Sequence, residues 1–222
     1  MNASAVALLM AAGRGLRYRA ETGRDKRLAL TPDGEALLLA SLRPLRSLGV
    51  PTHIVIDAPS AAALGQLVPH VDGVSWLPLP RPAHLGARAG LGLSLAQAIR
   101  RLIAGGCAAE WVFLALADMP CIAESSWARL LECATQAAPE CLALRAMYRG
   151  KEGHPVAFRR TLWPALTALD GDQGARTLWC RLSAQQKTPV ELGDPGVCFD
   201  VDCPADWLAW PSRGAANRAE PA

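Results

Sequence analysis

Short apolar runs alternate with longer stretches of helical spacing along most of the chain. Residues 6–10 form an apolar run that stops at Ala11-Ala12-Gly13, the pattern of a strand entering a turn. Thr31-Pro32-Asp33-Gly34 has turn chemistry and introduces residues 35–48, where apolar positions recur at helical spacing up to Gly49. Residues 52–56 predict a second strand, 61–67 a short helix capped by Ser60, and 71–77 a third strand. A Pro/Gly/Arg-rich loop over 78–90 leads to a predicted helix over 91–104, closed by Gly105-Gly106. Residues 111–115, WVFLA, are apolar on both faces, as a strand covered on both sides of a sheet must be. A helix over 125–137 and a strand over 141–147 follow.

The second half breaks the simple alternation. Residues 148–154 read as a polar loop, 155–158 as a short strand, 162–169 and 175–182 as helices. Pro204 opens a last helix that runs to about residue 210. Strands alternating with helices give an α/β fold with a mostly parallel sheet, in which ligands sit beyond the carboxyl ends of the strands. With no internal repeat and no linker, residues 1–210 read as one domain, and 211–222 as a disordered tail.

Composition narrows the class. Apolar residues make up 51% of 222, enough for a sizeable core, and the 19% of charged residues form no long like-charge block. A net charge of +3 argues for neither nucleic acid nor a membrane surface. No apolar run approaches the ~20 residues of a membrane span. The apolar N-terminus has no basic region before it and ends in glycine and arginine, so no signal peptide is expected. Seven cysteines without CxxC spacing, and four scattered histidines, suggest reduced thiols in a cytoplasmic protein and no zinc site.

Charge becomes informative locally. Residues 14–27 hold five arginines and one lysine against two acids, directly after the first strand and its small-residue turn. Close-approaching backbone N–H groups beside Arg and Lys suit a phosphate; the same residues also suit an ordinary β-to-α turn with solvated arginines. Neither a P-loop nor a dinucleotide fingerprint fits, because Lys26 is flanked by Asp25 and Arg27, and Tyr18 stands where a third glycine would be. Asp118 follows the WVFLA strand, where a carboxylate serves as a Mg²⁺ ligand beside a phosphate or as a turn former. Residues 170–176, DGDQGAR, read as an anion-binding helix start or a capped tight turn. Asp200 and Asp202 alternate in an extended segment and so share a face.

Taken in order, these motifs resemble the molybdenum cofactor nucleotidyltransferases, and most closely their cytidylyltransferase branch. The family's LAAGxxxRxG and lysine stand here as Met10-Ala11-Ala12-Gly13 with Arg17 and Lys26. Its (A/G)DMP, GHPVxF, GDxGAR and DxDTPxD segments stand at residues 117–120, 153–158, 171–176 and 200–206. The resemblance implies a three-layer, Rossmann-like sheet of the nucleotide-diphospho-sugar transferase type, with an antiparallel element in the second half. It implies transfer of a nucleotidyl group from a nucleoside triphosphate to the phosphate of molybdopterin, with release of pyrophosphate. By motif, Asp118 and Asp202 would hold Mg²⁺, and Arg17 and Lys26 would neutralise the triphosphate. Met10, Ala11, Ala12, Gly13, Arg14 and Gly15 would form the nucleotide loop. His154, Asp172 and Arg176 would face the pterin. The second alanine before Gly13 resembles the CTP-using branch. Transient docking to a molybdoenzyme or its maturation factor is the family-like expectation.

Three positions depart from the pattern. Residues 18–24 look like an insertion in the basic loop, Cys203 replaces the usual threonine, and the 78–90 loop lacks an expected asparagine. These leave open transfer to another small phosphorylated acceptor, and a non-catalytic, cofactor-handling homologue.

Overall fold

A computed structural model describes residues 4–13, 15–65, 72–80, 90–171 and 174–209. Seven strands form one sheet: β1 Ala5–Met10, β2 Thr52–Asp57, β3 Val74–Leu79, β4 Trp111–Leu116, β5 Ala143–Tyr148, β6 Lys151–Arg159 and β7 Lys187–Glu191. Their order is β3-β2-β1-β4-β6-β5-β7. Among the described strands β6 runs antiparallel to both its neighbours, and the other strand pairings are parallel. The helices are α1 Leu16–Thr22, α2 Leu37–Ser47, α3 Ala58–Leu64, α4 Leu91–Ala104, α5 Glu124–Gln136, α6 Trp163–Thr167 and α7 Arg176–Arg181.

The central strands explain the layering. In β1, Ala7 and Leu9 point to one face of the sheet, and Val6, Leu8 and Met10 to the other; all are buried. The first face packs against Leu38, Leu42 and Leu45 of α2 and Trp127 and Leu130 of α5. The second packs against Leu95, Ile99 and Leu102 of α4, Trp163 and Leu166 of α6, and Trp179 of α7. The result is the expected helix–sheet–helix arrangement, mostly parallel with an antiparallel element. Truncating a fully enclosed leucine such as Leu42 in such a core costs about 2–5 kcal/mol.

Several sequence expectations change. The expected loop over 18–24 is mostly helix: α1 runs from a left-handed Gly15 to a left-handed Gly23 and buries only Tyr18. The α3 cap is Asp57, whose side chain accepts from the Ser60 N–H; Ser60 lies inside the helix. The expected loop over 148–154 is a tight Arg149-Gly150 turn plus the first half of β6, which pairs Tyr148 with Lys151. The last segment, Pro204–Ala209, is a 3₁₀ helix. The strand β7 carried no sequence expectation. It is an edge strand with only Val190 buried. The 211–222 tail, residue 210, residue 71 and most of the 78–90 loop lie outside the described residues.

Topology gathers chemistry on one rim. β1 and β4 run parallel in register, Leu9 opposite Ala115, so both end at the same edge. β6 runs the other way, Val156 opposite Leu114, so His154, in the first half of its strand, lies at that same edge.

Candidate active site

The basic loop reaches the rim through two short elements. Lys26 opens a 3₁₀ turn, Lys26–Leu28, capped by Asp25, whose side chain accepts from the Arg27 N–H. Gly15 packs against this turn: it has φ +54°, and a Cβ there would lie 3.1 Å from Lys26 Cβ. A side chain at Gly15 would meet both penalties at once.

Asp118 follows β4 in a turn. Its backbone carbonyl accepts from the Val201 N–H at 2.9 Å, which lays the closing segment alongside it. Asp202 and Cys203 then donate their backbone N–H groups to Asp206, each at 2.7 Å, fixing the direction of the Asp202 side chain. Cysteine and threonine share this backbone donor, so the main-chain part of the cap survives the Cys203 replacement. The N–H of Cys203, aided by that of Asp202, holds the Asp206 carboxyl below its ordinary range.

These elements bring four side chains together. Lys26 Nζ donates to Asp118 Oδ2 at 2.8 Å and to Asp202 Oδ1 at 3.1 Å. Arg17, on α1, donates to the other Asp202 oxygen at 2.8 Å. Burial opposes the Lys26 ammonium, but Asp118 and then Asp202 outweigh it and raise its pKa. Asp200 sits in the same field: burial first, then Asp118 and Asp202, raise its carboxyl above the usual range.

The cluster suits a hard divalent cation. Asp118 Oδ1 is buried and has no hydrogen-bond partner among the described residues, while Asp118 Oδ2 and Asp202 Oδ1 already share one cation, the Lys26 ammonium. The donors are all oxygens, as Mg²⁺ and Mn²⁺ prefer. Among the described residues no set of three or more His, Cys, Asp or Glu side chains gathers at metal-binding distance. Two carboxylates completed by water and substrate phosphates are the usual arrangement for Mg²⁺ at such sites.

The loop that leaves β1 is held from both sides. The Met10 carbonyl accepts from Ala117 N–H, the Ala11 N–H donates to the Val55 carbonyl, and the Ala11 carbonyl accepts from Arg27. At Gly13 a Cβ would meet nothing within 4 Å, so the loop there faces open space. Arg14 lies outside the described residues.

Beside the loop is a cavity of about 170 Å³. Met10, Leu95, Leu114 and Leu116 supply apolar walls, and Arg145, His154 and Arg176 the polar ones. The helix α4 enters it closely: a Cβ on Gly92 would lie 2.7 Å from the Asp170 carbonyl, and the Gly92 N–H donates to Gly171. That contact seats Asp170 and Gly171 against α4, and Gly174, Ala175 and Arg176 line the cavity; Asp172 lies outside the described residues. His154 Nδ1 faces the Leu114 carbonyl at 3.5 Å. Burial, with help from the Arg145 charge, takes its pKa down to about 4, so the imidazole is neutral at pH 7.

Sequence reading missed Arg145 and Asp194. Arg145 is buried on β5, pairs with Glu152 at 3.0 Å, donates to the Gly153 carbonyl and lies over the Trp179 ring. Asp194 is buried and accepts from Ala123 N–H, Ser126 hydroxyl and Gly196 N–H at 2.7–2.8 Å. It ties the chain before the closing segment to the start of α5, just beyond Asp118. A buried arginine on an apolar strand and an aspartate in a polar loop carry no spacing signal. All seven cysteines are free, and no helix among the described residues is long and apolar enough to cross a membrane.

The sheet has the nucleotide-diphospho-sugar transferase type of fold. The chain belongs to the MobA-like NTP transferase family, whose domain matches residues 7–187. It is therefore a nucleotidyltransferase that uses a nucleoside triphosphate. The purine catabolism protein PucB of Bacillus subtilis (strain 168) is 26% identical over 213 residues, covering 91% of this chain and 93% of PucB. The crystal structure of Rv0371c from Mycobacterium tuberculosis H37Rv matches with a TM-score of 0.73 at 23% identity, over 94% of this chain and 97% of that one. Its complex with manganese matches with a TM-score of 0.68 at 22% identity, over 93% and 97%. These structural likenesses are likenesses of fold.

Proposed function

We propose that the chain is a Mg²⁺-dependent cytidylyltransferase that transfers CMP from CTP to the terminal phosphate of molybdopterin and releases pyrophosphate. One observation carries the reading: Lys26 Nζ sits between Asp118 and Asp202, at 2.8 and 3.1 Å, at the rim where the nucleotide loop leaves β1. Two carboxylates aimed at the same point suit a divalent cation at the reacting phosphates, beside the cations that neutralise them.

An oxygen of the acceptor phosphate attacks the α-phosphorus. The bond from that phosphorus to the bridging oxygen breaks, and pyrophosphate leaves with the bonding pair. Catalysis of such a step is positioning and charge neutralisation. A divalent cation held by Asp118 and Asp202 supplies neutralisation at the phosphates when bound. Lys26, which bonds both carboxylates, and Arg17, which bonds Asp202, would neutralise the triphosphate as well. Backbone groups of Met10, Ala11, Ala12 and Gly13 read the base, and Ala11-Ala12-Gly13 is the reason for choosing CTP. Arg14 and Gly15 continue the same loop. His154, Asp172 and Arg176 hold the acceptor; His154 and Arg176 line, with Arg145, a cavity whose apolar walls suit a flat heterocycle. The neutral His154 offers a hydrogen bond without adding charge there. The manganese complex of Rv0371c supports a divalent cation, and Mg²⁺ is the cation we assign. We place the enzyme in the cytoplasm, docking transiently to a molybdoenzyme or its maturation factor. The relation to PucB, a purine catabolism protein, bears on the pathway served rather than on the chemistry.

Mass spectrometry of the reaction tests the acceptor. Incubation with CTP, Mg²⁺ and molybdopterin is expected to give a product heavier than the acceptor by one CMP unit. Transfer to a different small phosphate instead would keep the donor chemistry and overturn the acceptor. CTP binding without transfer to any acceptor would favour the non-catalytic reading.

A further inference from the structure

Arg27 is 8% exposed, yet it carries a full charge into the protein. Its guanidinium makes contacts to three different elements. Nε and one terminal nitrogen grip the two oxygens of Asp25 at 2.9 and 2.6 Å. The other terminal nitrogen donates to the Ala11 carbonyl at 2.9 Å, at the end of β1, and lies 3.7 Å from Asp57. The first also donates to Ser60 Oγ at 2.9 Å, in α3. Burial works against the Asp25 carboxylate, but Arg27's hydrogen bonds and charge outweigh it and hold the carboxyl below its usual range.

Two consequences follow from the chain's connectivity. The Ala11 peptide is fixed on both sides, by Val55 at its N–H and by Arg27 at its carbonyl, so the loop through Ala12 and Gly13 leaves β1 in one direction. Lys26 lies between Asp25 and Arg27, which are joined by three hydrogen bonds, one of them from the Arg27 backbone at 3.0 Å. The Lys26 backbone is thus clamped, while its side chain points the other way, to Asp118. A buried ion pair is weak evidence for stability, since an apolar side chain of similar size often does as well. A planar five-donor fork reaching three elements is instead a device for fixing geometry, and lysine cannot reproduce it.

We propose that Arg27 is a positioning residue for nucleotidyl transfer, one guanidinium setting the base-reading loop and the triphosphate-neutralising Lys26 in a single frame. The proposal rests on the reading of Met10–Gly13 and Lys26 as the nucleotide site. Loosening Arg27 loosens both ends together, so it degrades the choice of base as well as the affinity. A role confined to stability would lower the melting temperature and leave the choice of base alone.

The test is calorimetric binding of CTP and of GTP, each with MgCl₂, to the full chain and to Arg27→Gln, Arg27→Lys and Leu102→Ala. The last removes core packing far from the rim and sets what destabilisation alone does. The wild type is expected to separate the two nucleotides. Arg27→Gln is expected to lose most of that separation and to weaken CTP by at least about tenfold, the scale of one hydrogen bond to a charged group. Arg27→Lys, which keeps the charge without the fork, is expected to fall between, and Leu102→Ala to keep the wild-type ratio. A folded Arg27→Gln with the wild-type ratio overturns the proposal. If Arg27→Gln does not fold, Arg27→Lys with the wild-type ratio overturns it equally. A folded wild type that binds neither nucleotide overturns the nucleotide-site reading itself, and this proposal with it.

Discussion

Replacing Lys26 by methionine removes the ammonium and keeps most of the stem. The lysine side chain is 11% exposed and its partner Asp118 26%, so their bond at 2.8 Å is only partly screened. A hydrogen bond between such charged groups contributes about 2 kcal/mol. Asp202 is 43% exposed, so its bond at 3.1 Å is discounted to well under ~1 kcal/mol. The variant should lose about 2–3 kcal/mol at neutral pH, which in a chain of this size is roughly 5–10 °C of melting temperature. Because the folded-state pKa of Lys26 is raised above 10.5, the wild-type advantage is intact at neutral pH and fades only as pH rises through that folded value. The sharper readout is metal. In the wild type a divalent cation competes with the ammonium for the same oxygens; in Lys26→Met it fills a vacant charge. Mn²⁺ or Mg²⁺ without nucleotide should therefore raise the melting temperature of the variant more than that of the wild type. Thermal unfolding at pH 7, with and without metal, measures both. A variant as stable as the wild type, or one that gains no more from metal, would refute the view that Lys26 occupies the cation position.

Three further perturbations have defined outcomes. His154 has a pKa of about 4 folded against an ordinary 6.5, so the unfolded chain binds its proton first. Stability should fall as pH drops from 6.5 to 4, by about 3 kcal/mol at most, and urea titrations of His154→Gln should lose that component of the slope. Asp194→Ala strands two backbone N–H groups and a hydroxyl, and should cost about 2–4 kcal/mol in urea unfolding. Gly15→Ala forces a left-handed side chain against Lys26; stability should fall by about 1–2 kcal/mol and triphosphate affinity should fall with it, both measurable in one binding and melting series.

The first half of the chain was largely legible because β1 and β4 are buried on both faces and α2 and α4 each show one apolar stripe. The helix over 91–104 was placed at both ends, and the WVFLA strand needed one more residue. What failed was short or polar. The helix α1 buries a single side chain, so no periodicity marks it. The first half of β6, KEGH, is exposed at Lys151 and Glu152, and only its hairpin partner makes it a strand. β7 contains Pro189 and a single buried residue, which an edge tolerates and a sequence pattern does not announce. At the site, Lys26, Asp118 and Asp202 are separated by 92 and 84 residues, and the sheet alone brings them within bonding distance. Motif order pointed to them. Spacing could not point to Arg27 or Arg145, because a buried arginine announces itself only through the partners that the fold supplies. The α1 segment is informative in this respect: what the sequence shows as surplus length is the helix that places Arg17 on Asp202.

The central claim is that the Lys26–Asp118–Asp202 cluster performs nucleotidyl transfer. Pyrophosphate release tests it most directly, measured with CTP, GTP and ATP, with and without molybdopterin, in Mg²⁺, for the wild type and Asp118→Ala. The account predicts release from CTP only when the acceptor is present, abolished by Asp118→Ala in protein that still folds. Release that persists in the folded Asp118→Ala variant would contradict it.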